Sequence, residues 1–188
     1  MGGDPVAYIA GQIFGVIATV QCIIEPFFKK KWQMLINEVV ENLFMALNYL
    51  LIGAVGSAFF MCLVAVSQSF VSFLHTRKET KVSLAEKVIF FVLYVGCGFY
   101  GLFTAPGYVP GINFQNALEM LPIIGAVLNM ITVFVRDEQT TRKFLLSNAL
   151  VWSVYTAVIM STTFFAEFFA VITACIALYQ YRKPKNAQ

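Results

Sequence analysis

Charge is scarce in this sequence. Aspartate, glutamate, lysine and arginine supply 12% of its 188 residues, against about 25% in an ordinary soluble domain. A disordered chain, a coiled coil and a nucleic-acid-binding module are excluded on that ground. Histidine occurs once, as His75, and one histidine cannot build a zinc centre; no Ser-His-Asp or metal-carboxylate constellation is present either. The four cysteines, Cys22, Cys62, Cys97 and Cys175, form no CxxC pair and sit inside apolar stretches. They read as small buried hydrophobes and not as a disulfide framework. The N-terminus lacks the basic segment of a cleaved signal peptide, and Val6 stands where a myristoylation signal requires Ser or Thr.

What the chain has in excess is apolar surface. Hydrophobic residues make up 59% and the mean hydropathy is +0.75. That leaves too little polar surface to cover a water-soluble globule, and the chain reads as an all-α integral membrane protein whose first partner is the lipid bilayer.

The basic residues give the span count. All thirteen fall into four clusters: Lys29 to Lys31; Arg77, Lys78, Lys81 and Lys87; Arg136, Arg142 and Lys143; and Arg182, Lys183 and Lys185. Between them lie basic-free stretches at 32–76, 88–135 and 144–181, each long enough for a hairpin of two spans. Residues 1–28 hold one more. The expected spans are 6–25, 33–52, 56–75, 86–104, 117–135, 143–160 and 163–181. Seven spans put every Lys and Arg on one face, which the positive-inside rule assigns to the cytoplasm. The N-terminus is then outside and the C-terminus inside. The outer connections are short except for TAPGYVPGINFQ, whose Pro106, Gly107, Pro110 and Gly111 set turns. No loop could house a catalytic domain, and no cofactor or metal is expected.

Two three-helix blocks, 6–75 and 117–181, flank the fourth span at 86–104. GQIFGVIA from Gly11 answers LPIIGAVL from Leu121, aligning Gly15 with Gly125. Asn42 with Tyr49 answers Asn148 with Tyr155, both displaced by 106, and each block closes in an Arg-Lys pair. Blocks of three spans need a linker helix to run the same way, which predicts one membrane domain of two parallel repeats. This 3+1+3 plan resembles the SWEET and PQ-loop superfamily of small-solute facilitators. The GQIFGVIA and LPIIG openings, the hairpin ends and the total length resemble more closely the YgjV-type family of bacterial inner-membrane proteins. The resemblance implies an inner-membrane location and a pocket asparagine in each half, for which Asn42 and Asn148 are the candidates. Gln21 with Glu25-Pro26 is similar to a degenerate PQ loop.

Polar groups in hydrocarbon must face protein or water. Glu38, Glu41, Asn42 and Tyr49 share one face of the second span, and Asn148, Trp152 and Tyr155 make a stripe on the sixth. Facing stripes of amides and rings suit a small neutral polar solute, with Asn42, Asn148, Tyr49, Trp152, Tyr155 and Glu41 as binding residues. The other reading is that these groups only hydrogen-bond helices together, at about 0.6 kcal/mol each. Glu167, inside FFAEFFA, is a candidate for proton coupling. An enzyme built on Glu38, Glu41 or Glu167 lacks a paired nucleophile or metal site. GCGFYG at Gly96, Gly98 and Gly101 matches a dinucleotide fingerprint, but lies inside a span with no strand before it and reads as close helix packing. Gly11 and Gly15 read the same way. The expected function is a small-solute transporter, with a non-transporting scaffold or partner subunit as the alternative; a homo-oligomer is compatible with either.

Overall fold

The computed structural model describes residues 5–24, 31–134 and 138–181. Within them the chain forms seven α-helices: α1 Pro5–Ile24, α2 Lys31–Leu51, α3 Ser57–Arg77, α4 Leu84–Thr104, α5 Phe114–Phe134, α6 Glu138–Val158 and α7 Phe164–Tyr181. No boundary departs from the expected spans by more than five residues. Four helices, α1, α3, α4 and most of α5, are each long and apolar enough to cross a bilayer. The apolar parts of α6 and α7 are shorter, and α2 carries too many polar groups. The Glu25-Pro26 segment, Lys29, Lys30, Arg136 and the basic residues from Arg182 onward lie outside the described residues.

Local chemistry sets the ends. Pro5 opens α1, where its missing N–H is harmless and its fixed φ suits a first turn. Ser83 opens α4 with a capping box: its hydroxyl accepts the Glu86 N–H at 3.2 Å, and Glu86 accepts the Ser83 N–H at 2.6 Å. His75, at the end of α3, bonds Thr80 and Glu86 at 2.7 and 2.8 Å and braces the same connection.

The internal register can be read from the boundaries. Lys31–Leu51 and Glu138–Val158 are displaced by 107 at both ends, and α3 and α7 begin at 57 and 164 with the same displacement. The turns that follow α2 and α6 share their first backbone hydrogen bonds in register. Gly53 donates to Leu50 and Ala54 to Tyr49; Met160 donates to Ala157 and Ser161 to Thr156. Gly53 and Met160 occupy the same left-handed position, with φ of 79° and 54°. The structural displacement is therefore one residue larger than the 106 that aligns Asn42 with Asn148. One residue is about 100° of helix rotation, so Asn148 corresponds to Glu41 and Tyr155 to Asn48.

Neighbouring helices close into a ring. α2 packs between α1 and α3, α6 packs between α5 and α7, and the seams α3·α5 and α1·α7 complete the circuit. Exchanging α1–α3 for α5–α7 leaves this order unchanged. α4 lies outside the ring against α3 and α5. Gly98 and Gly101 allow that approach: a Cβ on Gly98 would meet Ile123 at 2.7 Å, and one on Gly101 would meet the Ser57 backbone at 2.7 Å. Two of the three fingerprint-like glycines are thus packing glycines, whereas Gly96 meets nothing within 4 Å.

The solvent preference of the surface is inverted. Val6, Ile9, Ile13, Val16, Val20 and Ile23 make a continuous exposed apolar stripe on α1, and Phe165, Phe168, Phe169, Ile172 and Ile176 cover α7. Inside are Asn37, Glu41, Asn48, Ser57, Gln68, Glu119, Thr156, Ser161 and Thr163. Apolar outside and polar inside is the pattern a hydrocarbon solvent selects.

Candidate functional site

The ring interior is filled, near the ends of α2 and α6, by three aromatic side chains. Tyr49 stacks on Trp152 at 6.4 Å and meets Tyr155 edge-on at 6.2 Å; Trp152 and Tyr155 are perpendicular at 6.1 Å. Both tyrosines are fully buried. Ala18 of α1, Cys62 of α3 and Leu118 of α5 complete the surrounding core. α6 comes this close to α5 because Gly125 has no side chain: a Cβ there would meet the Trp152 indole nitrogen at 2.6 Å.

Three polar atoms in this core have no hydrogen-bond partner: the hydroxyls of Tyr49 and Tyr155 and the Oδ1 of Asn148. The Thr163 hydroxyl stands beside Tyr49 without meeting hydrogen-bond geometry. Carboxylates lie near two of the three rings. Glu167, in the first turn of α7, is within electrostatic reach of Tyr49 and Cys62, Glu119 of Tyr155, and Glu41 of Cys62.

Two polar clasps close the ring above the trio. In the α3·α5 seam, the Ser57 N–H donates to the Glu119 carboxylate at 2.8 Å. The Ser57 hydroxyl lies 2.6 Å from the same oxygen and 2.5 Å from the Glu119 carbonyl. A carboxylate at a helix N-terminus satisfies an orphan N–H and complements the helix dipole. In the α1·α7 seam, the Thr162 N–H donates to the Gln12 side chain at 2.9 Å and the Thr162 hydroxyl to the Gln12 carbonyl at 3.0 Å. The Gln12 amide returns a bond to the Met160 carbonyl at 3.0 Å. Asn48 ties the same turn to the ring, accepting from Ser161 at 2.6 Å and donating to the Gly11 carbonyl at 2.8 Å. Beside this clasp opens a cleft of about 440 Å³ lined by Tyr8, Gln12, Thr156, Ser161, Thr162 and Phe164, among others.

Of the residues read as binding groups, Tyr49, Trp152 and Tyr155 are brought into mutual contact, and Asn148 lies one turn below Trp152 on the same stripe. Glu41 is buried on α2. Asn42 is turned elsewhere. It is half-buried and donates to the Glu38 carbonyl of its own helix at 2.8 Å. Among the described residues no hydrogen bond joins it to Asn148. Glu38 is engaged by Ser69 of α3. Gln12, Ser57, Asn48, Glu119 and Thr162 were not foreseen as site residues. Glu119 carried a legible signal, a lone carboxylate in an apolar helix, but an expected start at 117 placed it at the membrane surface. α5 begins at Phe114, which sets Glu119 more than a turn inside.

Comparison with curated proteins and with solved structures returned no match. A family model described as bacterial inner membrane protein, Imp-YgjV, matches residues 9–185. The chain belongs to this family of bacterial inner-membrane proteins.

Proposed function

We propose that this member of the Imp-YgjV family is a facilitator or carrier for a small polar solute, working by alternating access. In this reading all seven helices are spans, the N-terminus is outside and the C-terminus is cytoplasmic. α1–α3 and α5–α7 are parallel repeats joined by α4. Support for the repeats comes from the common displacement of 107 and the exchangeable packing order; solute sites in such folds lie between the repeats.

The observation that carries the reading is the set of buried polar atoms without partners at Tyr49, Tyr155 and Asn148. Buried polar groups are nearly always paired, and each one left alone costs about 1–3 kcal/mol. Groups kept at that cost between two repeats have a use when a ligand meets them. The closed trio under two clasps is then an occluded form. Asn148→Cys, in a background lacking the native four cysteines, should react with a water-soluble thiol reagent. A reporter fused after Gln188 should be active only in the cytoplasm.

The packing of the three rings against one another favours a second reading, a membrane scaffold or partner subunit that moves nothing. Under it the cysteine at 148 stays unreactive in every condition.

A further inference from the structure

The buried interior of the ring carries one sign of charge. Among the described residues, its buried acidic side chains are the carboxylates Glu41 and Glu119, and no Lys or Arg is buried with them. The basic side chains described there, Arg77, Lys78, Lys81, Lys87 and Lys143, are all unburied and lie toward the opposite helix ends. A buried carboxylate is stable when a cation or strong donors meet it. Glu119 has such donors in Ser57. Glu167 is half-buried on α7, one helical turn beyond the fully buried Thr163, whose hydroxyl stands beside Tyr49.

The ring cluster to which Tyr49 belongs has the chemistry of a cation site. Cations are held over aromatic faces within about 6 Å of a ring centroid, and clustered rings recognise ammonium groups in this way. Tyr49, Trp152 and Tyr155 have centroids 6.1 to 6.4 Å apart, so a group entering among them touches more than one ring. The unpartnered hydroxyls of Tyr49 and Tyr155 and the unpartnered Oδ1 of Asn148 are all able to accept from an N–H or to line the shell of a charged methyl group. A neutral polyol would use the amide and the rings but would leave the carboxylate without purpose. An anion would be repelled.

We propose that the site formed by Tyr49, Trp152, Tyr155 and Asn148, with Glu167 as counter-charge, takes a small organic cation bearing an ammonium group. This deepens the carrier reading and rests on it. The cleft beside Gln12 and Thr162 is the outer approach, and the clasp there must part for the cation to pass.

The test uses the purified full chain in detergent and follows its melting midpoint as ligand is added. The probes are ethylammonium and choline as chlorides, 3,3-dimethylbutan-1-ol as the uncharged isostere of choline, sorbitol, and sodium chloride at matched ionic strength. At least one ammonium probe should bind at least tenfold more tightly than the isostere, and Glu167→Gln should weaken it at least tenfold. Trp152→Leu supplies the same comparison if Glu167→Gln does not purify folded. Stabilisation by sorbitol or the isostere equal to that by the ammonium probes overturns the cation and leaves a solute carrier standing. No stabilisation by either ammonium probe also overturns the cation, whereas loss of the carrier reading itself requires that the cysteine at 148 stay unreactive.

Discussion

Gln12 and Glu119 stand 107 residues apart and do the same work from opposite sides of the ring. Each reaches from the first helix of one block to the start of the last helix in the other: Glu119 accepts the N–H of Ser57, the first residue of α3, at 2.8 Å, and Gln12 that of Thr162, two residues before α7, at 2.9 Å. One is an amide and the other a carboxylate. The carboxylate clasp is the more deeply buried and carries charge-assisted bonds. Glu119→Ala should therefore cost about 2–4 kcal/mol, and Gln12→Ala about 1–2 kcal/mol. Unfolding in mixed micelles titrated with dodecyl sulfate would rank them. Equal costs would mean that burial and charge do not distinguish the two seams.

Glycine substitutions should separate by position. A Cβ on Gly15 would overlap the Thr162 hydroxyl and stand 2.9 Å from the Asn48 amide. Gly15→Ala should then destabilise by about 1–3 kcal/mol through overpacking. Gly96 meets nothing within 4 Å, so Gly96→Ala should be neutral or gain about 0.5–1 kcal/mol from helix propensity. Thermal melting of both in one detergent provides the comparison.

Removing an unpartnered hydroxyl removes a penalty. Tyr49→Phe and Tyr155→Phe should leave the melting midpoint unchanged or raise it, because neither phenol makes a hydrogen bond. The same changes should weaken stabilisation by a bound solute. A fall in stability without solute would show that these hydroxyls already hold the helices together.

The one-residue shift in register makes Asn42 and Asn148 unequal. Asn42→Ala loses only a bond to its own helix and should change stability by less than about 1 kcal/mol, with solute response retained. Asn148→Ala should abolish the solute response. Titrating both variants with one stabilising compound would decide, and identical losses would restore the two asparagines to equivalent roles.

Much of this arrangement could be read from residue order. The basic clusters divided the chain into seven segments because they cannot lie in hydrocarbon, and every helix lies within a few residues of its expected place. The inward stripe of Asn148, Trp152 and Tyr155 followed from helical period, as did the packing roles of Gly11, Gly15, Gly98 and Gly101. Period tells which side of a helix turns inward and leaves open what stands across from it. That is why the Gln12–Thr162 clasp was illegible: nothing in either segment encodes a partner at that separation. Asn42 and Asn148 differ in setting for a narrower reason. Residue identity aligns the two segments at a displacement of 106, whereas the helix bounds and the turns after α2 and α6 recur at 107.

The Gln12–Thr162 clasp also bears on how the chain is made. Its two residues are separated by 150 positions. At about 5–20 residues per second of synthesis, α1 waits on the order of ten to thirty seconds for the turn that packs on Gly15. During that interval Gly15 and the amide of Gln12 lack Thr162, whereas Gly11 is covered early by Leu51 and Ile52 at the end of α2. Packing of the first helix is therefore provisional until the α6–α7 turn arrives, and the ring closes only with its last hairpin.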